Sequence, residues 1–197
     1  MARTREIISA VIGADNITYQ DSVSKGVIMS MRESIQRYRA STFYKFRDDS
    51  VIYSDGFGIK IISVSNSRRF SNNHIRYIKL DSIKLSETEI KYIDTKIAEM
   101  HRYKWNKELF PNAILIPTDT ITKIFGDWRK YGWAYLNKKH IDKLYNFAPP
   151  IFLRDDTYCL FYYGYGCGDL CGQGEFALYK KENGKWVKWF SLFESIS

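Results

Sequence analysis

Apolar side chains recur along this chain in two rhythms, one helical and one of strict alternation. Between Ser24 and Ala40, Val27, Met31, Ile35 and Tyr38 fall three or four residues apart, which places them on one face of a helix. Asp21 or Ser24 is positioned to cap its start. A shorter helix is expected over residues 2–14, ended by Gly13 or Asn16. The clearest helix is ETEIKYIDTKIAEMHRYK, residues 87–104, with Ile90, Ile93, Ile97 and Met100 as its buried stripe and a stop near Pro111. Ser86 followed by Glu89 is a capping-box pair at its entrance. Downstream of Pro117, residues 119–133 read as helical with Ile121, Ile124, Phe125 and Trp128 inward, and 137–147 as a further helical turn or two.

Between these segments the rhythm shortens to two. TFYKF at 42–46, SVIYS at 50–54 and GIKIISVS at 58–65 are β-branched and aromatic runs, punctuated by Asp48-Asp49 and Asp55-Gly56 as hairpin turns. After a loop at 67–73, HIRYIKL at 74–80 alternates like another strand, and NAILI at 112–116 reads as a short one. The C-terminal third predicts a meander of PIFLR, TYCLFYYGY, GEFALYKK and GKWVKWFSL, with Asp155-Asp156 and Asn183-Gly184 in the turns. Regular alternation over 185–190 places Trp186 with Lys188 and Phe190, and Trp189 on the opposite face, so the last strand is expected to be covered on both sides or to join a partner. The sum is an α+β fold, with antiparallel sheet strands at both ends of the chain and two to four helices between or beside them. It is read as one domain over 1–197, with a weakly marked subdivision near 108–118.

Composition narrows the picture only a little. The 197 residues include 15 Tyr, 12 Phe and 5 Trp, which is the content of a folded core rather than of a disordered chain. No apolar stretch reaches the roughly 18 residues of a membrane span, and IISAVIG near the N-terminus is too short and broken for an export signal. The net charge is +8, and residues 51–150 hold 17 basic against 10 acidic side chains. Arg68, Arg69, Arg76 and Lys79, interleaved with Phe70 and Tyr77, are the candidate anion-binding patch, which keeps a nucleic-acid partner as an alternative.

The least ordinary stretch is YGYGCGDLCGQG, residues 163–174. Cys167 and Cys171 are separated by three intervening residues rather than the two of a zinc knuckle, no CxxC partner exists elsewhere, and no ordered ligand set follows. No GxxxxGK[ST] run is present, and the glycines are followed by a strand rather than a helix, so a nucleotide loop is not indicated. A thiol enzyme would pair Cys167 or Cys171 with His101 or His140, but no spacing selects those residues. The simplest reading is a turn in which Gly164, Gly166, Gly168, Gly172 and Gly174 take positive dihedrals and a Cys167–Cys171 disulfide fixes the shape. Cys159, inside TYCLFYY, reads as a small buried apolar residue.

Pro150–Phe152, the Cys167–Gly174 loop, the Asn183–Trp186 hairpin and Trp189 occur together in the last quarter of the chain. In that order they resemble the C-terminal part of exported or lipid-anchored proteins of Bacteroidetes-type bacteria, a family that implies no particular activity. The resemblance implies an exported or periplasmic location if the disulfide forms and a signal has been removed; otherwise the location is cytoplasmic. The expectation is a non-enzymatic binding protein engaging another protein, as an inhibitor, immunity or accessory factor. A small cysteine-dependent or hydrolytic enzyme is the alternative. No catalytic residue, metal or cofactor is assigned.

Overall fold

A computed structural model describes residues 1–13, 17–46, 51–54, 59–63, 79–129 and 131–196. The described residues form an α+β fold with antiparallel strands near both termini and helices between them. Helix α1, Ala2–Ile12, ends at Gly13, whose φ of 72° is the left-handed turn that glycine adopts without a Cβ penalty. Strand β1, Thr18–Gln20, precedes α2, Lys25–Arg37. Ser24, rather than Asp21, caps α2 by accepting from the Val27 backbone N–H. Strands β2, Thr42–Phe46, β3, Val51–Ser54, β4, Ile59–Ser63, and β5, Lys79–Lys84, make an antiparallel sheet in the order β4-β3-β2-β5. Of the expected 74–80 strand, residues 74–78 lie outside the described residues, as do the Asp48-Asp49 and Asp55-Gly56 turns.

Helix α3, Glu87–Glu99, carries the reciprocal capping box of Ser86 and Glu89 and buries Ile90, Ile93 and Ile97, followed by a 3-10 turn, Met100–Arg102. Strand β6, Ile114–Ile116, leads into α4, Thr118–Gly126, and α5, Trp133–Asn137. The expected helical turns at 137–147 are corrected here: Leu144–Phe147 is strand β7. Its side chains alternate between the two faces, Leu144 in one cluster and Tyr145 and Phe147 in another, and Tyr145 pairs with Tyr19 and Tyr165, a pairing that local sequence does not reveal. Inside α4, Ile121 and Ile124 are buried, whereas Phe125 and Trp128 are 45% and 77% exposed. The helix stops at Gly126, so the face that would have carried Trp128 inward does not continue.

Strands β8, Ile151–Leu153, β9, Tyr158–Gly168, β10, Cys171–Glu182, and β11, Lys185–Ile196, complete a seven-stranded sheet. Its order is β11-β10-β9-β7-β1-β6, with β8 also on β9. It is mixed, because β1 runs parallel to both β6 and β7. Asn183 and Gly184 turn between β10 and β11 with φ of 49° and 78°, the left-handed pair that a tight hairpin asks for.

The sheet is covered on both faces. One cluster gathers Ile7, Ile8, Tyr19, Trp105, Leu109, Phe110, Phe147, Phe161, Tyr179 and Trp186 beneath α1 and the 105–110 segment. The other joins α2 and α3 to the smaller sheet, with Met31, Ile35, Phe43, Ile83, Ile93, Leu160, Phe176 and Phe190 together. Phe43 stacks on Phe190 at 4.2 Å between ring centroids. The regular alternation expected for the last strand fails at two bulges, where Trp189 and Leu192 are the extra residues. One inserted residue exchanges the faces, so Trp186 enters the α1-side cluster while Trp189 and Phe190 both enter the other.

Asp21 knots the end of β1 to three other segments. Its backbone N–H donates to the Ile116 carbonyl, and its own carbonyl accepts from the Trp105 N–H at 2.7 Å. Its carboxylate accepts from the Thr118 backbone N–H at 2.9 Å and the Thr118 hydroxyl at 2.7 Å, so it caps α4 from a distance. Lys104 Nζ stands 3.4 Å away. Burial alone would raise the Asp21 carboxyl, but the Thr118 hydrogen bonds and the Lys104 charge outweigh it and hold the group below its ordinary value.

Because the folded-state value is depressed, this contribution is complete above the unfolded-state value of about pH 3.9 and is lost as pH falls through the lower folded value. Asp21→Asn is expected to cost about 2 kcal/mol at pH 7. It also flattens the fall in stability between about pH 4 and pH 2. Urea unfolding across that range checks both effects, and a variant with the wild-type acid limb would refute the assignment.

Candidate functional site

On the α2/α3 side of the large sheet, the cover is interrupted. A third apolar cluster, of Ile121, Ile124, Leu136, Ile141 and Leu144, seats α4 and α5 on the sheet beside β7. Tyr162 and Phe176 belong to the α2/α3 cluster on the same sheet. A groove of about 340 Å³ runs along Ile121, Phe125, Trp133, Leu144, Tyr162 and the glycine-rich segments 164–166 and 172–174.

Its floor explains the glycines. Gly164 pairs with Gly174 across β9 and β10, and Gly166 pairs with Gly172. All four alternate at period two and therefore share one face of the hairpin. The expectation of positive dihedrals is corrected: of the five, only Gly168 has positive φ, at 159°, close to extended. Close approach is what requires glycine here. A Cβ on Gly164 would stand 2.6 Å from Tyr162 Oη, one on Gly166 2.7 Å from Trp133 Cζ2, and one on Gly174 2.8 Å from Ser195 Oγ. Aromatic rings lie where side chains of the floor would otherwise stand.

Cys167 and Cys171 sit past the end of this floor. They are joined in a disulfide with Cα atoms 5.1 Å apart, across a tip made of Asp169 and Leu170. Cys167 is the bulged residue of the hairpin, since Cys171 faces Gly168 and Gly172 faces Gly166. Neither sulfur is a thiolate in this state, so neither supplies the nucleophile of a thiol enzyme. His101 accepts from Arg102 through Nε2 at the end of α3, and His140 lies in the turn after α5 with φ of 59°. Neither histidine lines the groove. Cys159 is fully buried in the α1-side cluster, and burial pushes its thiol far up. Among the described residues no three His, Cys, Asp or Glu side chains are grouped to hold a metal ion. Arg68, Arg69 and Arg76 lie outside the described residues, and Lys79 opens β5.

The polar groups over the floor are Gln20, Asn146, Tyr162 and Ser195. Gln20 and Asn146 share the groove face of β1 and β7 because Tyr19, Tyr145 and Phe147 turn to the opposite cluster. Asn146 Oδ1 is buried and has no hydrogen-bond partner. It lies 3.0 Å from the Cβ position of Gly164, against 2.6 Å for Tyr162 Oη, so amide and phenol converge on one spot. Tyr162 is only 4% exposed, and burial pushes its hydroxyl up to about 12, which keeps it a protonated, neutral donor. The lining residues include no Asp, Glu, Lys, Arg or His. Sequence reasoning missed Trp133, Asn146 and Gln20 because they reach the floor from three different elements. The period-two spacing of the glycines was the available signal.

Gly166→Ala is expected to displace the Trp133 ring and to cost about 1–3 kcal/mol, as overpacking does elsewhere. Denaturant unfolding and a changed indole resonance for Trp133 check it, and an unmoved ring would contradict the close approach. For the hairpin, native protein without reductant should have two hydrogens fewer than the reduced mass and no reactive thiol. One thiol per chain, Cys159, should become reactive on unfolding, and intact mass with thiol titration reads both counts.

No protein-family model matches the chain, and no match was found among curated proteins or among solved structures.

Proposed function

We propose that this chain acts by binding, without covalent chemistry, and that the glycine-floored groove is its recognition site. The observation that carries this reading is the buried, unpartnered Asn146 Oδ1 held beside the Tyr162 hydroxyl above Gly164. A buried acceptor left unpaired costs about 1–3 kcal/mol, and a ligand that donates to it recovers that penalty. The groove lining holds no carboxylate or imidazole, and hydroxyls and carboxamides by themselves orient a ligand rather than activate one. A hydrolytic or cysteine-dependent enzyme finds less support, since both hairpin sulfurs are bonded to each other. The disulfide also favours an oxidising compartment, as the resemblance to exported proteins implies.

A protein partner is the second reading, and a separate observation favours it. Trp128 and Tyr131 are 77% and 72% exposed on the α4–α5 connection, next to Phe125 on the groove rim and to Arg129. Tryptophan, tyrosine and arginine are the residue types that most often anchor protein interfaces.

The groove reading is tested by thermal unfolding against a library of neutral and charged small molecules. A ligand at ten times its dissociation constant adds about 1.4 kcal/mol, or roughly 3–6 °C for a chain of this size. Uncharged polar compounds should give the shifts, and Gln20→Trp, which puts a large ring into the groove from β1, should abolish them. Stabilisers that act equally on both proteins would place binding elsewhere.

A further inference from the structure

The groove's side chains specify more than binding in general. Gln20, Asn146, Tyr162 and Ser195 make no side-chain hydrogen bond among the described residues, so two carboxamides and two hydroxyls line the groove without a partner of their own, Asn146 Oδ1 being the one that is buried. A carboxamide both donates and accepts, and a hydroxyl does the same. Such a set matches a ligand that carries several neutral groups of the same dual kind. Phosphates, carboxylates and ammonium groups would enter without a counter-charge from the lining, and desolvating them there would be costly.

One flank is apolar. Ile121, Phe125, Trp133 and Leu144 stand on the α4–α5 side, and Phe125 meets Trp133 edge to face at 5.7 Å. Aromatic faces carry partial negative charge and attract the polarised C–H groups of a ring laid against them. The volume of about 340 Å³ is at the low end for small-molecule pockets, which suits one or two compact rings. An extended peptide is a poorer fit. It would need free backbone groups along a sheet edge, whereas this floor is the face of two strands whose backbones already pair in the β9–β10 ladder.

We infer that the groove binds a neutral saccharide, with a ring hydroxyl donating to Asn146 Oδ1, further hydroxyls meeting Gln20, Tyr162 and Ser195, and the C–H face of the ring toward Trp133. The inference rests on the groove being the recognition site, and it adds the chemical class of the ligand. The Tyr162 phenol remains a neutral donor throughout the physiological range, so saccharide binding does not vary with pH between about 5 and 9 on its account.

The test is a titration of the isotope-labelled, disulfide-intact protein followed by amide and indole NMR resonances. The probes are glucose, galactose, mannose and N-acetylglucosamine with their β-linked disaccharides, against N-acetylalanine methylamide, glucuronate and inorganic phosphate. At least one neutral saccharide is expected to bind with a dissociation constant of about 10 mM or tighter. It should shift Gly164, Gly166, Gly174 and the Trp133 indole. Asn146→Ala and, separately, Gln20→Ala should each weaken it about fivefold or more, while Ile114→Ala at the exposed far edge leaves it unchanged. Either polar variant suffices if the other does not fold. If the neutral peptide amide alone moves the groove resonances, the saccharide inference falls and the groove reading stands. Glucuronate or phosphate binding there in preference overturns the neutrality argument. If no probe moves them, or if saccharide shifts lie elsewhere and survive both variants, the inference is overturned. The thermal screen then decides whether the groove reading falls with it.

Discussion

The first half of strand β9 has no solvent side. From Tyr158 to Tyr162 every residue is buried, so the chain must cover this strand twice. The α1 helix and the 105–110 segment do so on one face, and α2, α3 and the smaller sheet do so on the other. A strand buried on both faces reads as a continuous apolar run, and TYCLFYY is one. The same demand explains the bulges of β11. An unbroken alternation would leave Trp189 and Phe190 on opposite faces, whereas the α2/α3 cluster takes both.

Where the double cover ends, the glycines begin. Past Tyr162 the groove face of β9 carries Gly164 and Gly166 instead of large side chains, and β10 answers with Gly174 and Gly172. The fold therefore replaces core by floor without changing register. Tyr162 stands at this boundary, its ring in the core cluster and its hydroxyl over Gly164 and Gly174. On the far bank, α4 is held by Asp21, which fixes Thr118 at the entrance of that helix. A carboxylate that does not itself line the groove thus anchors the helix that carries Ile121 and Phe125 to it.

Much of this was legible where the signal is local. The capping box of Ser86 and Glu89, the buried stripe of α3, Ser24 before α2 and the Asn183-Gly184 turn each depend on residues within a few positions of one another. The disulfide of Cys167 and Cys171 was legible for the same reason. The failures share the opposite cause. Strand β7 was read as helical because its pairing partners, Tyr19 and Tyr165, are far away in sequence. Strand β1 has three residues and owes its place to parallel neighbours on both sides. The glycines were read as turn formers because their cross-strand partners and the rings of Tyr162 and Trp133 are visible only in three dimensions. Asn146 and Gln20 are ordinary polar residues in sequence, and their absent hydrogen bonds are a property of the fold alone.

Placement of the third cysteine bears on how the chain oxidises. Three cysteines allow three single bridges, and an exposed thiol beside a disulfide can shuffle it by attack as a thiolate. Cys159 is withdrawn from that exchange twice over, by burial between paired strands and by a proton that burial makes hard to remove. Once β9 has found its neighbours, the bridge at the hairpin tip has no internal competitor. Mispairing is then confined to the interval before the sheet closes, and the fold itself acts as the proofreader of its own oxidation.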